Sequence, residues 1–256
     1  MSRIGDTLKA LKGSGSKALI PYIMAGDPSP VATRQYVLDL EAAGADIIEL
    51  GVPFSDPLAD GPTIQRAAER ALNKGITLRK VLRIVREIRK ESDIPLILMT
   101  YYNPVFKMGI ESFIKSAVSS GVDGVIIPDL IPDEAEDFIK QARLYGLDTI
   151  FLLAPTSTPE RIRKVVKAST GFLYYVSITG TTGSKLSIEK TMKDTLHSIR
   201  DVTGIPVAVG FGISSPKEAS AVAKMADGVI VGSAIVKLIA QGKSIKHYVK
   251  SLRKAI

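Results

Sequence analysis

The chain has 256 residues, 45% of them hydrophobic and 23% charged, which is ample for one large globular core. It contains no cysteine, which excludes disulfides, thiol nucleophiles and cysteine–metal sites, and it has no run of about 18 apolar residues, which excludes a helical membrane span. The formal charge of +8 is scattered along the chain, an arrangement that favours an anionic small substrate over nucleic acid.

In chain order, the residues from Met1 to Lys9 lack the apolar stretch of a secretory signal, and the expectation is a cytoplasmic protein. An N-terminal helix is predicted before the turn Ser14-Gly15-Ser16. Eight short apolar runs then recur: Ala18–Met24, Asp46–Gly51, Pro95–Thr100, Gly124–Pro128, Asp148–Leu153, Phe172–Ser177, Pro206–Gly210 and Gly228–Gly232. Near-continuous apolar runs suit parallel strands buried on both faces. Amphipathic stretches separate them, among them Val31–Ala43, Ile110–Ser120, Glu134–Leu144, Pro159–Ala168 and Ile188–Asp201. Asp133, Thr158 and Ser215 stand as candidate N-caps, and Pro159 and Pro216 as first helical residues. The basic run Arg79, Arg83, Arg86, Lys90 falls at helical spacing opposite Leu78, Val81, Leu82, Val85 and Ile88, so it reads as the solvated side of one more amphipathic helix. Eight alternations in about 250 residues match a (β/α)8 barrel with an extra N-terminal helix, a single domain over residues 1–256. Periodicity alone leaves an open doubly wound sheet as the alternative.

The second run carries a carboxylate, Glu49, where hydrocarbon is expected. A charge at the end of a buried strand is costly unless it is paired or used. The turn-rich segment Pro53–Pro62 follows, with a second carboxylate, Asp60, before a Gly-Pro helix start. In a barrel both fall at the C-terminal ends of strands, where active sites lie. Two carboxylates in unlike settings can serve two roles. The structural alternatives are that Glu49 is a paired core ion and Asp60 a helix cap.

The last two strands end in Gly210-Phe211-Gly212 and Gly232-Ser233, each leading into a helix. Backbone amides beside glycine at a helix start suit a phosphate, and the loop Thr179–Lys185 adds small residues and a candidate lid. Each glycine pair taken singly marks no more than a turn; together at consecutive strand ends they predict a phosphate cradle. His197 and His247 lie in predicted outer helices, so neither a histidine base nor a metal site is expected. No lysine ends a strand, so a Schiff-base aldolase lacks its nucleophile. Carboxylate acid–base work on a phosphorylated substrate remains.

The segment Leu50-Gly-Val-Pro-Phe-Ser-Asp-Pro-Leu-Ala-Asp-Gly-Pro-Thr-Ile-Gln65 resembles the signature of the tryptophan synthase α subunit family. Ile20–Pro28, Met99–Pro104, Ile127–Leu130, Ala154–Thr156, Tyr174–Ser177, Gly180–Gly183, Gly210–Gly212 and Gly232-Ser233 are similar to that family at every other strand end, so the resemblance spans the chain. It departs at Ile131, where proline is frequent, at Tyr22, where phenylalanine is common, and at Tyr102, which is bulkier than usual. The resemblance implies a (β/α)8 barrel that cleaves indole-3-glycerol phosphate to indole and glyceraldehyde 3-phosphate. It implies Glu49 as catalytic acid–base and Asp60 as the carboxylate at the indole N–H. Tyr174 resembles the tyrosine near the glycerol phosphate, and Thr182, Gly183, Gly210, Phe211, Gly212, Gly232 and Ser233 the phosphate side. Tyr22, Ile64, Thr100 and Ile126 resemble the indole pocket. No cofactor or metal is implied for this chain. Pyridoxal phosphate is expected only in a partner β subunit, in an α2β2 heterotetramer, docked on mouth loops bearing Pro53, Phe54, Pro57, Leu58, Pro104, Val105 and Phe106.

The chemistry agrees. Protonating indole C3 makes a cationic ring, which a nearby carboxylate stabilises in a dry pocket, and a second carboxyl group can give and take the protons. The rival functions are another sugar-phosphate barrel lyase or isomerase, and a non-catalytic phosphate-binding barrel acting as an activating subunit. Loss of Glu49 or Asp60 would favour the latter, and both are present.

Overall fold

The computed structural model describes residues 2–176, 185–210 and 212–256, with side chains for all of these except 185–190. The strands are β1 Ala18–Met24, β2 Ile48–Gly51, β3 Leu96–Met99, β4 Gly124–Ile126, β5 Asp148–Ile150, β6 Leu152–Leu153, β7 Leu173–Val176, β8 Val207–Gly210 and β9 Gly228–Val231. The helices are α1 Arg3–Gly13, α2 Pro30–Ala42, α3 Pro62–Leu72, α4 Leu78–Ile88, α5 Tyr102–Met108, α6 Ile110–Ser120, α7 Glu136–Tyr145, α8 Pro159–Ala168, α9 Lys185–Val202, α10 Pro216–Ala223, α11 Ser233–Ala240 and α12 Ile245–Arg253. Every strand pairing is parallel, in the order β5-β4-β3-β2-β1-β9-β8-β7-β6.

The two ends of that order, β5 and β6, are consecutive pieces of one expected strand interrupted at Phe151. The Phe151 carbonyl still accepts the Tyr174 N–H at 3.2 Å, so the ladder runs through the break. Eight strand positions therefore make a (β/α)8 barrel, and the open doubly wound alternative is set aside. None of the described helices is long and apolar enough to cross a membrane.

Alternation along the strands splits the hydrocarbon into two cores. Ala18, Ile20, Ile47, Ile97, Ile126, Ile150, Phe172, Ala208 and Ile230 fill the barrel interior, and Ile4 and Leu8 of α1 join them. A Cβ on Gly124 would lie 2.8 Å from Ile4 Cδ1, so α1 plugs the N-terminal end of the barrel. Outward residues such as Leu19, Ile23, Leu50 and Leu98 pack beneath the helices.

Aspartates at strand starts rivet the same end. Asp46 accepts the Leu19 N–H at 2.7 Å and Arg253 at 2.7 Å. Asp123 accepts the Leu96 N–H at 2.8 Å, Arg89 at 2.7 Å and Arg3 at 2.9 Å. Asp227 accepts the Val207 N–H at 3.0 Å. The rigid pole thus lies opposite the strand ends that carry the candidate site.

Ser29, Thr77, Thr158 and Ser215 cap their helices with side-chain oxygens. Asp133 does not. It sits in a 3-10 turn, Pro132–Glu134, and pairs with Arg161 at 3.2 Å and Lys164 at 2.6 Å, so α7 starts at Glu136 without a side-chain cap. A local capping pattern yields here to two cations brought in by α8. The short helix α5 was not expected from periodicity, because seven residues are too few to show an amphipathic period.

Candidate active site

Glu49 lies in β2 between Tyr22 of β1 and Ile97 of β3, in register with both, and points into the barrel mouth two residues above Ile47. It is 1% exposed, and its Oε1 has no hydrogen-bond partner among the described residues. The paired-ion alternative is therefore not what is found. Burial, and secondarily the charge of Asp60, pushes its pKa up to about 8. At neutral pH the group is a carboxylic acid.

Two phenols share its space, and glycine makes room for them. A Cβ at Gly51 would fall 2.0 Å from the Tyr22 hydroxyl, and one at Gly210 would fall 2.4 Å from the Tyr174 hydroxyl. Any larger residue at either strand end would evict the ring that crosses the mouth. Burial raises both phenols well above their ordinary pKa, reinforced by Asp60 and Glu49 at Tyr22 and by Glu49 at Tyr174. Both stay protonated and available as donors. Gly232 lies beside the Tyr22 ring base, 3.4 Å from a built Cβ to Tyr22 Cβ.

Asp60 stands on the loop between β2 and α3. The N-cap of α3 is Gly61, which offers no side-chain bond, so Asp60 is not a cap. The Tyr101 hydroxyl holds the backbone beside it, accepting the Ala59 N–H at 3.0 Å. Burial raises its pKa, and nearby Tyr101 opposes that rise. The loop is held by Gln65 Nε2 donating to the Asp60 carbonyl at 2.8 Å. Further along α3, Arg70 grips the buried Asp27 carboxylate through two bonds of 2.8 and 2.7 Å, and Lys74, just past the helix, reaches the Pro28 carbonyl. The helix that follows Asp60 is thereby clamped to the loop after β1.

Of the other expected pocket residues, Ile64 is buried on α3, and Thr100 is buried just past β3 with its N–H on the Ile126 carbonyl at 3.0 Å. Ile126 itself is wholly buried in the interior layer of the barrel. On the phosphate side, Gly210 ends β8, Gly212 adopts a φ of 76°, and Ser233 is the exposed first residue of α11 after Gly232. Thr182, Gly183 and Phe211 lie outside the described residues. Gly210 against Tyr174, and Gly232 against Tyr22, place the two glycine-ended strands next to the Glu49 pocket.

Around the mouth, Leu58 is 88% exposed and Phe106 65%, with Ile131 more modestly exposed. Val105, expected among them, is buried in the protein's own core, and Phe54 is spent on Tyr101, their rings stacked at 5.1 Å. His197 and His247 are exposed on α9 and α12, and among the described residues no group of three potential metal ligands gathers. The sequence reading overlooked Tyr101. Its signal was the position immediately beyond strand three, beside Thr100.

The family model described as "Tryptophan synthase alpha chain" matches residues 8–255. The tryptophan synthase alpha chain of Geotalea uraniireducens is 56% identical over 238 residues, covering 93% of this chain and 89% of the relative. The crystal structure of tryptophan synthase subunit alpha from Legionella pneumophila superposes with a TM-score of 0.92 at 40% identity, covering 100% of this chain and 98% of that one. A structure of the tryptophan synthase a2b2 complex from the hyperthermophile Pyrococcus furiosus matches with a TM-score of 0.84 at 43% identity, covering 93% and 96%.

The buried Glu49 makes stability depend on pH. Unfolded, the group releases its proton near its ordinary value of 4.5; folded, it keeps the proton until about 8. Between these values the folded protein binds one proton more than the unfolded chain. Stability from this group is therefore full below the lower value and lost progressively as pH rises to the upper one. Glu49→Gln removes that dependence while keeping a neutral side chain of the same shape. Its thermal midpoint should exceed the parent's by several degrees at pH 8, on the order of 4 kcal/mol, with the two converging near pH 4. Parallel midpoint curves across this range would show that Glu49 is ionised in the folded protein.

Proposed function

The chain belongs to the tryptophan synthase alpha chain family, and we propose that Glu49 performs the proton transfers of that family's lyase half-reaction, with Asp60 stabilising the charge that develops. The protein is a carbon–carbon lyase, cleaving indole-3-glycerol phosphate to indole and glyceraldehyde 3-phosphate. The observation that carries the residue assignment is a buried carboxyl group with an unpartnered oxygen at the barrel mouth, protonated at neutral pH.

The steps balance on this one group. Glu49, as the acid, gives its proton to indole C3, leaving a cationic ring. The Asp60 carboxylate stabilises that cation at the ring nitrogen, in a pocket where charge is poorly screened. Glu49, now ionised, takes the proton of the glycerol hydroxyl next to C3. As the C–C bond breaks, its electron pair returns to the ring and the hydroxyl carbon becomes an aldehyde. Glu49 ends protonated, ready for the next turnover. Tyr174 and Tyr22 exclude water and offer hydroxyl donors to the glycerol side and the ring side. The phosphate is assigned to backbone amides from Gly210 to Gly212 and at Gly232-Ser233, with Ser233 adding a hydroxyl and the N-terminus of α11 a favourable dipole. Thr182, Gly183 and Phe211 complete that assignment by resemblance. These steps use side chains of this chain alone.

For the partner, the support is the a2b2 assembly of the Pyrococcus furiosus relative together with Leu58, Phe106 and Ile131, which put apolar surface on three successive mouth loops. A β subunit carrying pyridoxal phosphate covers this face in an α2β2 heterotetramer. It receives indole directly, because a small neutral apolar product would otherwise be lost to solvent.

Indole release from indole-3-glycerol phosphate by the isolated chain tests the chemistry. Glu49→Gln should lower turnover by roughly 10² or more while keeping glycerol phosphate affinity, and Asp60→Asn should lose turnover with the same affinity retained. Near-normal turnover of Glu49→Gln overturns the assignment of the acid–base. Sedimentation with the cognate β subunit should show a complex at micromolar concentration with a raised indole rate, both weakened by Leu58→Asp and Phe106→Asp together. No complex and no change in rate would remove the partner and leave the lyase.

A further inference from the structure

Asp60 is joined to its helix through a residue that cannot steer it. Gly61 is the N-cap of α3, with φ −75° and ψ 166°, and has no side chain to bond the first turn. A Cβ built on it would meet nothing within 4 Å, so neither its own substituent nor a neighbour limits its rotation. Pro62 restricts the ψ of the residue before it, which leaves the φ of Gly61 as a swivel between the carboxylate and the helix. Gln65 spans that swivel. Its Nε2 donates to the Asp60 carbonyl at 2.8 Å, five positions back. Gln65 is half-buried on a helix whose Ile64, Ala67, Ala68 and Ala71 are buried and whose Arg70 is bonded twice to Asp27. Before Asp60, the Ala59 N–H is held at 3.0 Å by the Tyr101 hydroxyl. The backbone is thus pinned on either side of the Asp60 side chain, from the segment after β3 and from α3.

We infer that Gln65 is a positioning residue for the reaction: its amide, anchored on α3, fixes the Asp60 carbonyl across the Gly61 swivel and so aims the Asp60 carboxylate at the ring. This rests on the reading of Asp60 given above. A role confined to helix stability fits less well. Without Gln65, α3 keeps its buried apolar face and the two Arg70–Asp27 bonds. Asp60 and Gly61 are partly exposed, so water can take the place of the amide at that carbonyl. What water cannot supply is direction, because it is not attached to α3. Direction matters here, since a charge that stabilises a transition state acts from one place, and a misplacement of about 1 Å costs up to about 10²-fold. Glutamine also suits the position chemically. It donates to a carbonyl where glutamate cannot. It also adds no second anion beside a carboxylate whose charged form is the useful one.

The test is indole release by the full chain, with the glycerol phosphate dissociation constant and the melting point measured alongside. Gln65→Met keeps the length of the side chain and removes the donor. It should lower kcat roughly three- to tenfold, the scale of one lost hydrogen bond, with glycerol phosphate affinity unchanged. Gln65→Glu, which sets a carboxylate against the Asp60 carbonyl, should lower kcat further. Gly61→Ala narrows the swivel at a φ and ψ open to alanine, so the loss caused by Gln65→Met should shrink in that background. A merely structural bond would lower the melting point and leave kcat, measured well below it, unmoved. That result would overturn the inference, as would a kcat loss of equal size in both backgrounds, or glycerol phosphate affinity falling in step with kcat. If Asp60→Asn alone retains near-normal turnover, the reading of Asp60 fails; if it is inactive while Gln65→Met is unaffected, only the role of Gln65 fails.

Discussion

Removing a carboxyl group from water is the constraint around which this barrel is arranged. Glu49 projects from β2 just above Ile47, beside Tyr22 and with no partner for Oε1 among the described residues. As an ion it would carry a desolvation cost that no ion pair among the described residues offsets, so the folded state keeps the proton. The same constraint explains the neighbouring glycines. Gly51 and Gly210 let the Tyr22 and Tyr174 rings close over the strand ends, which is how the site stays dry enough to hold the proton. A residue that weakens the fold at neutral pH is tolerated because its neutral form is the useful one, the familiar conflict between stability and an active site.

Asp60 presents the opposite problem, and its solution lies on other elements. Its neighbour Ala59 is held by the Tyr101 hydroxyl from the segment after β3. Its loop is closed by Gln65, and the helix beyond is clamped by Arg70 to Asp27 after β1. Segments after three strands therefore converge on the loop and helix that carry one carboxylate. Precision of this kind requires a stiff base, and the opposite pole supplies it. There α1 inserts Ile4 into the barrel, and aspartates 46, 123 and 227 tie strand starts to neighbouring backbone and to Arg253, Arg89 and Arg3. Stability and chemistry occupy different ends of the barrel.

Much of this was legible in the sequence because it depends on local pattern. The apolar runs located the strands, and a glutamate inside one of them was conspicuous against hydrocarbon. Thr158 and Ser215 cap their helices as their local pattern predicts, acting within one turn of their own position. What escaped depends on contacts distant in sequence. Asp133 reads as a cap until α8 brings Arg161 and Lys164 beside it. Val105 reads as mouth surface until α5 turns it inward. The break at Phe151 is invisible in an unbroken apolar run. Tyr101 reads as one tyrosine of a Tyr-Tyr pair, because its link to Ala59 spans 42 positions. Pattern identifies which residues are unusual, and only the closed barrel shows which of them meet.

The most direct test of the account is the titration of the Glu49 carboxyl itself in the folded, ligand-free chain. It can be followed through the side-chain carbonyl carbon of 13C-labelled glutamate and assigned by its loss in Glu49→Gln. The account predicts a midpoint near 8, with Glu49 protonated at pH 7. A midpoint near the ordinary value of 4.5 would contradict it: Glu49 would then be a solvated or paired anion, unable to start the reaction as an acid.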